Sequence, residues 1–129
     1  MMRLLLVVAA LAMADSPEMV NFLRSTAAAL AEAHDEHDAR TFLDQFDHSM
    51  PGFATVRDQV EELVARAEVG SAIEIATESG DENRRTLELD WVLEITDQRP
   101  RRKVVKCTVE KQGKNWKFIS LEPIDLFKY

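Results

Sequence analysis

Three side chains near the middle of the chain have the chemistry for proton transfer: Asp44, Asp47 and His48. A carboxylate or imidazole held against apolar walls can have a pKa near the working pH and act as a general base. Their spacing places all three at the end of a short predicted helix. Most carboxylates in proteins face water, so simple solvation is the competing interpretation. The sequence thus offers candidate catalytic residues without deciding their role.

A second polar group, residues 34–38, contains two imidazoles three positions apart. Imidazole and carboxylate bind divalent metals, and this spacing can bring His34 and His37 to one turn of a helix. The third histidine, His48, and the one cysteine, Cys107, do not stand at a spacing from this group that is typical of a metal site. We therefore expect a solvated loop, in which Asp35 or Asp38 caps the next helix, and neither a metal site nor a cofactor.

Three amphipathic helices are predicted in the first half of the chain. Residues 16–18, Ser-Pro-Glu, favour a helix start, and apolar residues at helical spacing extend that helix over 17–33. Thr55 and Asp58 resemble a capping box for the third helix, and Gly70 is expected to end it. The second helix is short, and its apolar face carries Phe42, Leu43 and Phe46.

After Gly70 the hydrophobic period changes from 3.6 to 2, which predicts four strands joined by short turns. Such an antiparallel sheet needs one face covered, and the helices are the available cover. We therefore predict an α+β fold in which three N-terminal helices pack on the concave face of a curved sheet of about four long strands. The predicted inner face is uncharged: Ile73, Ile75, Leu87, Leu89, Trp91, Leu93, Ile95, Val105, Cys107 and Val109.

An uncharged inner face suits either a filled core or a site for an apolar ligand. The candidate ligand-binding residues are Phe42, Phe46, Leu89, Trp91 and Val105. For Trp91, a place in the core is the commoner alternative to stacking on a ligand. Cys107 cannot form an internal disulfide, because it is the one cysteine, and its alternation with valines predicts a buried thiol.

The order and spacing of these elements over residues 16–129 resemble the nuclear transport factor 2-like superfamily, a cystatin-like α+β cone that includes ketosteroid isomerases and polyketide cyclases. Residues 38–46 are similar to the acidic start of that family's second helix. Residues 113–118 are similar to its glycine-containing turn before an aromatic final strand. Ketosteroid isomerases use a tyrosine in the first helix, whereas the one tyrosine here is Tyr129. The resemblance therefore implies the fold and carries no catalytic pattern.

The first 14 residues have the features of a secretory signal peptide. Arg3 precedes a short apolar run, and small residues stand at Ala12 and Ala14. The run is too short to span a bilayer, so we expect no stable membrane anchor. This predicts export to the periplasm or medium and a single domain over 15–129. If residues 1–14 instead form a buried helix, the protein is cytoplasmic.

The net charge of -7 argues against a nucleic-acid-binding surface, which needs clustered positive charge. Two function classes stay open. The first is an exported domain with an apolar cone that binds a small hydrophobic molecule or assembles with itself. The second is a small isomerase, cyclase or dehydratase that uses Asp44, Asp47 or His48 for proton transfer.

A homodimer through the outer face of the sheet is also predicted. Val92 shares that face with acidic residues and with Lys106 and Lys117, and Val104 should flank it together with Ile119 or Leu121. Opposite charges around β-branched residues can be self-complementary across a two-fold axis. The acidic and polar residues of this face are Thr86, Glu88, Asp90 and Glu94.

Overall fold

Three helices precede four antiparallel strands in the computed structural model, which describes residues 16–129 except for the side chains of residues 36 and 37. The predicted signal peptide, residues 1–14, lies outside the described residues. The predicted α+β architecture is confirmed, with the helices packed on one face of a curved, unclosed sheet. The elements are α1 (Pro17–Ala31), α2 (Glu36–Leu43), α3 (Phe53–Arg66), β1 (Val69–Gly80), β2 (Arg84–Ile95), β3 (Arg101–Gln112) and β4 (Asn115–Glu122).

Short polar side chains begin the first two helices as the sequence predicts. The Ser16 hydroxyl accepts a hydrogen bond from the Met19 amide at 3.2 Å, and the Asp35 carboxylate accepts one from the Asp38 amide at 2.9 Å. Each bond satisfies one amide that the first helical turn leaves free. The turn between α1 and α2 thus ends at Asp35, which caps the start of α2.

The start and end of α3 differ from the prediction. Gly52 precedes the helix with a φ of 81° and no side-chain cap, so the proposed capping box of Thr55 and Asp58 is wrong. A left-handed residue reverses the chain tightly enough for the helix to begin at Phe53. Gly70 does not end the helix either, because it lies within β1 and pairs with Glu94.

The strands lie side by side in the order β1-β2-β3-β4. Pairing shifts by one residue at two places, where Ala76 is an extra residue on β1 and Ile119 is an extra residue on β4. Bulges of this kind bend a sheet and strengthen its twist. At the β4 edge, the Phe118 amide and carbonyl bond to the backbone of residues 45–47, whereas β1 forms the other edge.

The core lies between the helices and the inner face of the sheet. The predicted inner positions on β2 and β3 are buried, including Cys107, whereas Ile73 and Ile75 near the β1 edge are half-buried. Leu126 and Phe127, after the last strand, turn back into the core. Among residues 16–129, no helix is long and apolar enough to cross a membrane.

Candidate functional site

Asp44 and His48 lie together on the surface at the end of α2. His48 Nε2 is 3.5 Å from Asp44 Oδ1, and both side chains are exposed. The imidazole stacks on the Phe53 ring with centroids 4.4 Å apart, and its Nε2 is 3.3 Å from the Leu43 carbonyl oxygen. The pair therefore faces solvent, without the apolar enclosure that is typical of a binding or catalytic site.

Asp47, the third acid–base candidate, is held in a network of hydrogen bonds. Its carboxylate accepts bonds from the Ser49 hydroxyl at 2.6 Å, the Ser49 amide at 2.8 Å and the Gln112 side chain at 2.8 Å. These bonds, led by the Ser49 hydroxyl, lower the pKa of Asp47 to about 2. So acidic a carboxyl is a weak general base at neutral pH. Its contacts instead tie the α2–α3 turn to the β3–β4 hairpin.

The five candidate ligand-binding residues fill the space under the helices. Phe42 packs edge-on against Phe46, Trp91 and Phe127, with ring centroids 5.3 to 6.4 Å apart. The Trp91 indole nitrogen donates to the Ser71 hydroxyl at 3.0 Å. Phe42, Phe46, Leu89, Trp91 and Val105 are all buried in one continuous core. Their geometry suits packing better than enclosing a ligand.

The inner face carries a charge pair that the sequence pattern did not predict. Glu78 lies opposite the buried Leu87, and Arg85 lies opposite the buried Val109. Arg85 Nη1 is 2.6 Å from Glu78 Oε2, and the two side chains are 23% and 5% exposed. The prediction of an uncharged inner face is therefore wrong at this end of the sheet. The β1 bulge is the reason, because one extra residue moves Glu78 from the outer to the inner face.

Further polar residues surround this pair and connect it to α1. The Ser16 amide and hydroxyl lie 3.3 and 3.4 Å from the Glu78 carboxylate. The Trp116 indole donates to Glu18 at 2.6 Å, which is the main reason that the pKa of Glu18 is lowered. We call Ser16, Glu18, Glu78, Arg85, Lys111 and Trp116 the polar end cluster.

The polar end cluster is balanced in charge, with two carboxylates and two cations. The Arg85 guanidinium carbon and Lys111 Nζ each lie 5.8 Å from the centroid of the Trp116 ring. Arg85 Nε is buried without a hydrogen-bond partner in the described part of the chain. The cluster fastens the start of α1 to the sheet. The register shift was the missing signal for Glu78, whereas Arg85 continues the alternation of Leu87 and Leu89 and could have been predicted from it.

Among the described side chains, which do not include those of residues 36 and 37, no three metal-binding groups converge. His34 is exposed, and its amide donates to Asp38 Oδ2 at 3.4 Å. Asp35 caps α2, as one of the two sequence interpretations predicts.

No protein-family model and no curated protein matches the sequence. Among solved structures, Bd1075 of Bdellovibrio bacteriovorus matches with a TM-score of 0.67 and 14% identity over 81% of this chain and 39% of that one. This chain thus spans about two-fifths of that neighbour's length.

A Nostoc punctiforme protein of unknown function with a cystatin-like fold matches with a TM-score of 0.58 and 16% identity over 81% of this chain and 85% of that one. An LEH-like epoxide hydrolase of M. tuberculosis matches with a TM-score of 0.43 and 16% identity, covering 79% and 84% of the two chains. At these identities, the likeness to Bd1075 and to the Nostoc punctiforme protein shows a shared fold.

Proposed function

Because the chain has the cystatin-like fold of the nuclear transport factor 2-like superfamily, a fold that hosts many functions, we propose a function from its own residues. We propose a non-catalytic domain that assembles with itself through the outer face of its sheet. The exposed pair of Asp44 and His48, the hydrogen-bonded Asp47 and the filled core support this proposal over the isomerase, cyclase or dehydratase alternative. They also support it over a ligand held inside the cone.

Val104 is the observation that carries the proposal. It lies on the outer face of β3 opposite Asp90, and 62% of its surface is exposed. Val92, half-buried, lies one strand over between Ala72 and Arg102. An exposed β-branched residue at the middle of a sheet face is a contact that a second copy can cover.

Charges around Val104 fit a two-fold contact. Arg102 forms an ion pair with Asp90, and Glu88 stands opposite Lys106 in the register of β2 and β3. Positive and negative groups therefore alternate across the face, so a copy rotated by 180° can present cations to anions. Charge pairs at the rim of such a contact set its orientation more than its strength.

The apolar part of this face is smaller than the sequence predicted. Leu121 lies opposite Cys107 and is buried on the inner side, so it does not flank Val92. Ile119 occupies the β3–β4 bulge and is half-buried. The register shift at that bulge is the physical reason, as it is on β1. Val92 and Val104 therefore form the apolar centre of the proposed contact.

Sedimentation velocity at micromolar concentration tests the proposal. We expect the protein to be at least dimeric, and Val104→Lys or Val92→Lys to weaken the association at least tenfold. Ala54→Lys, a matched change at an exposed position of α3, should leave it unaltered. A monomer at all concentrations, or equal effects of all three variants, would contradict assembly through this face.

A further inference from the structure

A groove of about 590 Å³ opens between α1 and β1, the strand at one edge of the sheet. Its strand wall is the run of residues 71–75 on β1. Its helical wall consists of five α1 residues on one side of the helix: Val20, Leu23, Arg24, Ala27 and Ala28. Cavities that hold small molecules commonly have volumes of about 300–1,000 Å³, so the groove is large enough for one.

The β1 wall presents apolar side chains toward α1. Ile73 and Ile75 stand opposite the buried Trp91 and Leu89 on β2. Because facing residues in an antiparallel pair point to the same side, both isoleucines belong to the inner face, on which the helices pack. Both are nevertheless only half-buried. The groove therefore leaves aliphatic surface on the inner side of β1 that a ligand can cover.

The apolar residues that line the groove are all aliphatic: Val20, Leu23, Ala27, Ala28, Ala72, Ile73 and Ile75. The aromatic residues that the sequence offered as ligand contacts, Phe42, Phe46 and Trp91, fill the core instead. A ring gains most from packing against another ring, whereas an aliphatic chain needs only apolar contact. The lining thus favours an aliphatic ligand over an aromatic one.

Arg24 supplies a positive charge on the helical wall of the groove. Its side chain is exposed, and within residues 16–129 it takes part in no ion pair. The acidic residue of the strand wall, Glu74, stands opposite Asp90 on the outer face, so it points away from the side that α1 covers. A guanidinium binds a carboxylate through two parallel hydrogen bonds. The groove therefore combines an aliphatic surface with a group that binds anions.

We propose that the groove binds a small aliphatic carboxylate, with its hydrocarbon chain along Ile73 and Ile75 and its carboxylate on Arg24. Residues 20–28 of α1 rise about 12 Å and residues 71–75 of β1 about 13 Å, so the two walls match in length. A chain of medium length fits between walls of this size. The groove is not on the outer face that carries Val104, so this inference goes beyond the proposed assembly and does not depend on it.

A small ligand fits this groove better than an added strand of another chain does. A strand paired with the edge of β1 would lie in the plane of the sheet, about 4.8 Å beyond β1. The groove instead opens between β1 and α1, on the inner side of that plane. The backbone of an added strand would therefore pass beside the groove, whereas an aliphatic chain would enter it.

Calorimetric titration of the intact protein with octanoate tests the proposal. We expect saturable binding, and hexanoate, which is shorter by two CH₂ groups, should bind about tenfold more weakly. Arg24→Met should weaken octanoate binding at least fivefold, because the carboxylate loses its partner. The same variant should bind octanol, the uncharged analogue, as the wild type does. Arg40→Met, a matched change at an exposed position of α2, should leave octanoate binding unaltered.

A groove-filling variant tests where octanoate binds. Ala28→Trp should abolish binding because the indole occupies the groove, whereas Ala54→Trp, at an exposed position of α3, should not. Circular dichroism confirms that each variant is folded. Val104→Lys should bind octanoate like the wild type, which separates this result from the outcome for the assembly. Absence of octanoate binding, equal binding by wild type and Arg24→Met, or binding that Ala28→Trp retains would overturn the proposed site.

Discussion

Burial controls the chemistry of Cys107. Desolvation raises the pKa of this thiol to about 12, because an apolar surrounding disfavours the thiolate. The thiolate is the reactive form, so the folded protein holds its one cysteine in an inert state. An exported protein can carry such a free thiol in an oxidising compartment.

We predict that Cys107 reacts with a thiol reagent only after denaturation. Cys107→Asp should lower the free energy of unfolding by several kcal/mol, about 3 or more, because it places a charge in an apolar layer. Cys107→Ala should cost about 1 kcal/mol, since it leaves a small cavity. Rapid labelling of the native protein, or equal costs for the two variants, would show that the β3 register is wrong.

The same thiol gives a pH dependence that can be measured by urea unfolding. The unfolded chain loses this proton near its ordinary pKa of about 8.5, whereas the folded protein keeps it until about 12. The unfolded state therefore binds fewer protons in this window, and the stability of the wild type falls as pH rises above about 9. The difference in stability between wild type and Cys107→Ala should shrink over that range.

The ion pair of Glu78 and Arg85 is the second feature at the residue scale. Glu78→Gln leaves Arg85 without its carboxylate partner inside the structure, which should cost roughly 2–4 kcal/mol of unfolding free energy. The expected cost is below that of a fully buried pair because the Arg85 side chain is 23% exposed. Chemical denaturation of the variant measures it.

A neighbouring ion pair supplies the control for Glu78→Gln. Arg84 Nη2 lies 3.4 Å from Glu110 Oε2, and the two side chains are 60% and 39% exposed. Glu110→Gln should therefore cost less than about 1 kcal/mol of unfolding free energy. Replacing Glu78 and Arg85 together with leucine should recover much of the loss, because no unpaired charge stays in the core. Equal costs for Glu78→Gln and Glu110→Gln would mean that Glu78 faces solvent.

At the scale of elements, the alternation of apolar and polar residues predicts the buried face of a strand where the strand is regular. It fails where the strand contains a bulge. The predicted faces of β2 hold along its length, from Leu87 to Ile95. They fail beyond the bulge on β1, where Glu78 turns inward, and at the bulge on β4, which places Leu121 inside. A bulge depends on the partner strand, and single-strand periodicity carries no information about pairing.

Two glycines at hairpin turns allow a matched prediction at this scale. Gly80 and Gly113 both have positive φ, 126° and 66°. A Cβ at Gly80 would lie 2.3 Å from the Arg84 carbonyl oxygen, whereas one at Gly113 meets nothing within 4 Å. Gly113→Ala should therefore cost about 1–2 kcal/mol from backbone strain alone. Gly80→Ala should cost clearly more, since backbone must move as well.

Thermal or urea unfolding of the two glycine variants compares these costs directly. The far-UV circular dichroism of Gly113→Ala should match that of the wild type. If Gly80→Ala proves as stable as Gly113→Ala, the backbone of the β1–β2 hairpin does not approach residue 80 as closely as the 2.3 Å distance to the Arg84 carbonyl oxygen indicates.

At the scale of the whole molecule, the candidate site was harder to predict than the fold. The sequence placed Asp44, Asp47 and His48 at the end of the second helix, but α2 ends at Leu43, so Asp47 and His48 lie in the α2–α3 turn. Their surroundings did not follow from the sequence, because Asp47 bonds to Gln112, which lies 65 positions away in the chain. Likewise, the filling of the core depends on Phe127, from a segment beyond the last strand. Such long-range contacts decide between a cavity and a core, and no local pattern contains them.

We further propose that residues 1–14 direct export and are then removed. Arg3, the apolar run after it, and the small residues Ala12 and Ala14 support this proposal. Cleavage after Ala14 would leave intact the contacts that begin α1, since the first of them involve Ser16.

N-terminal sequencing of the protein from its own host should begin at Asp15. Ala12→Lys should block removal, because cleavage sites of this kind need small residues, whereas Ala9→Leu should not. A protein that retains Met1 in the cytoplasm would contradict export.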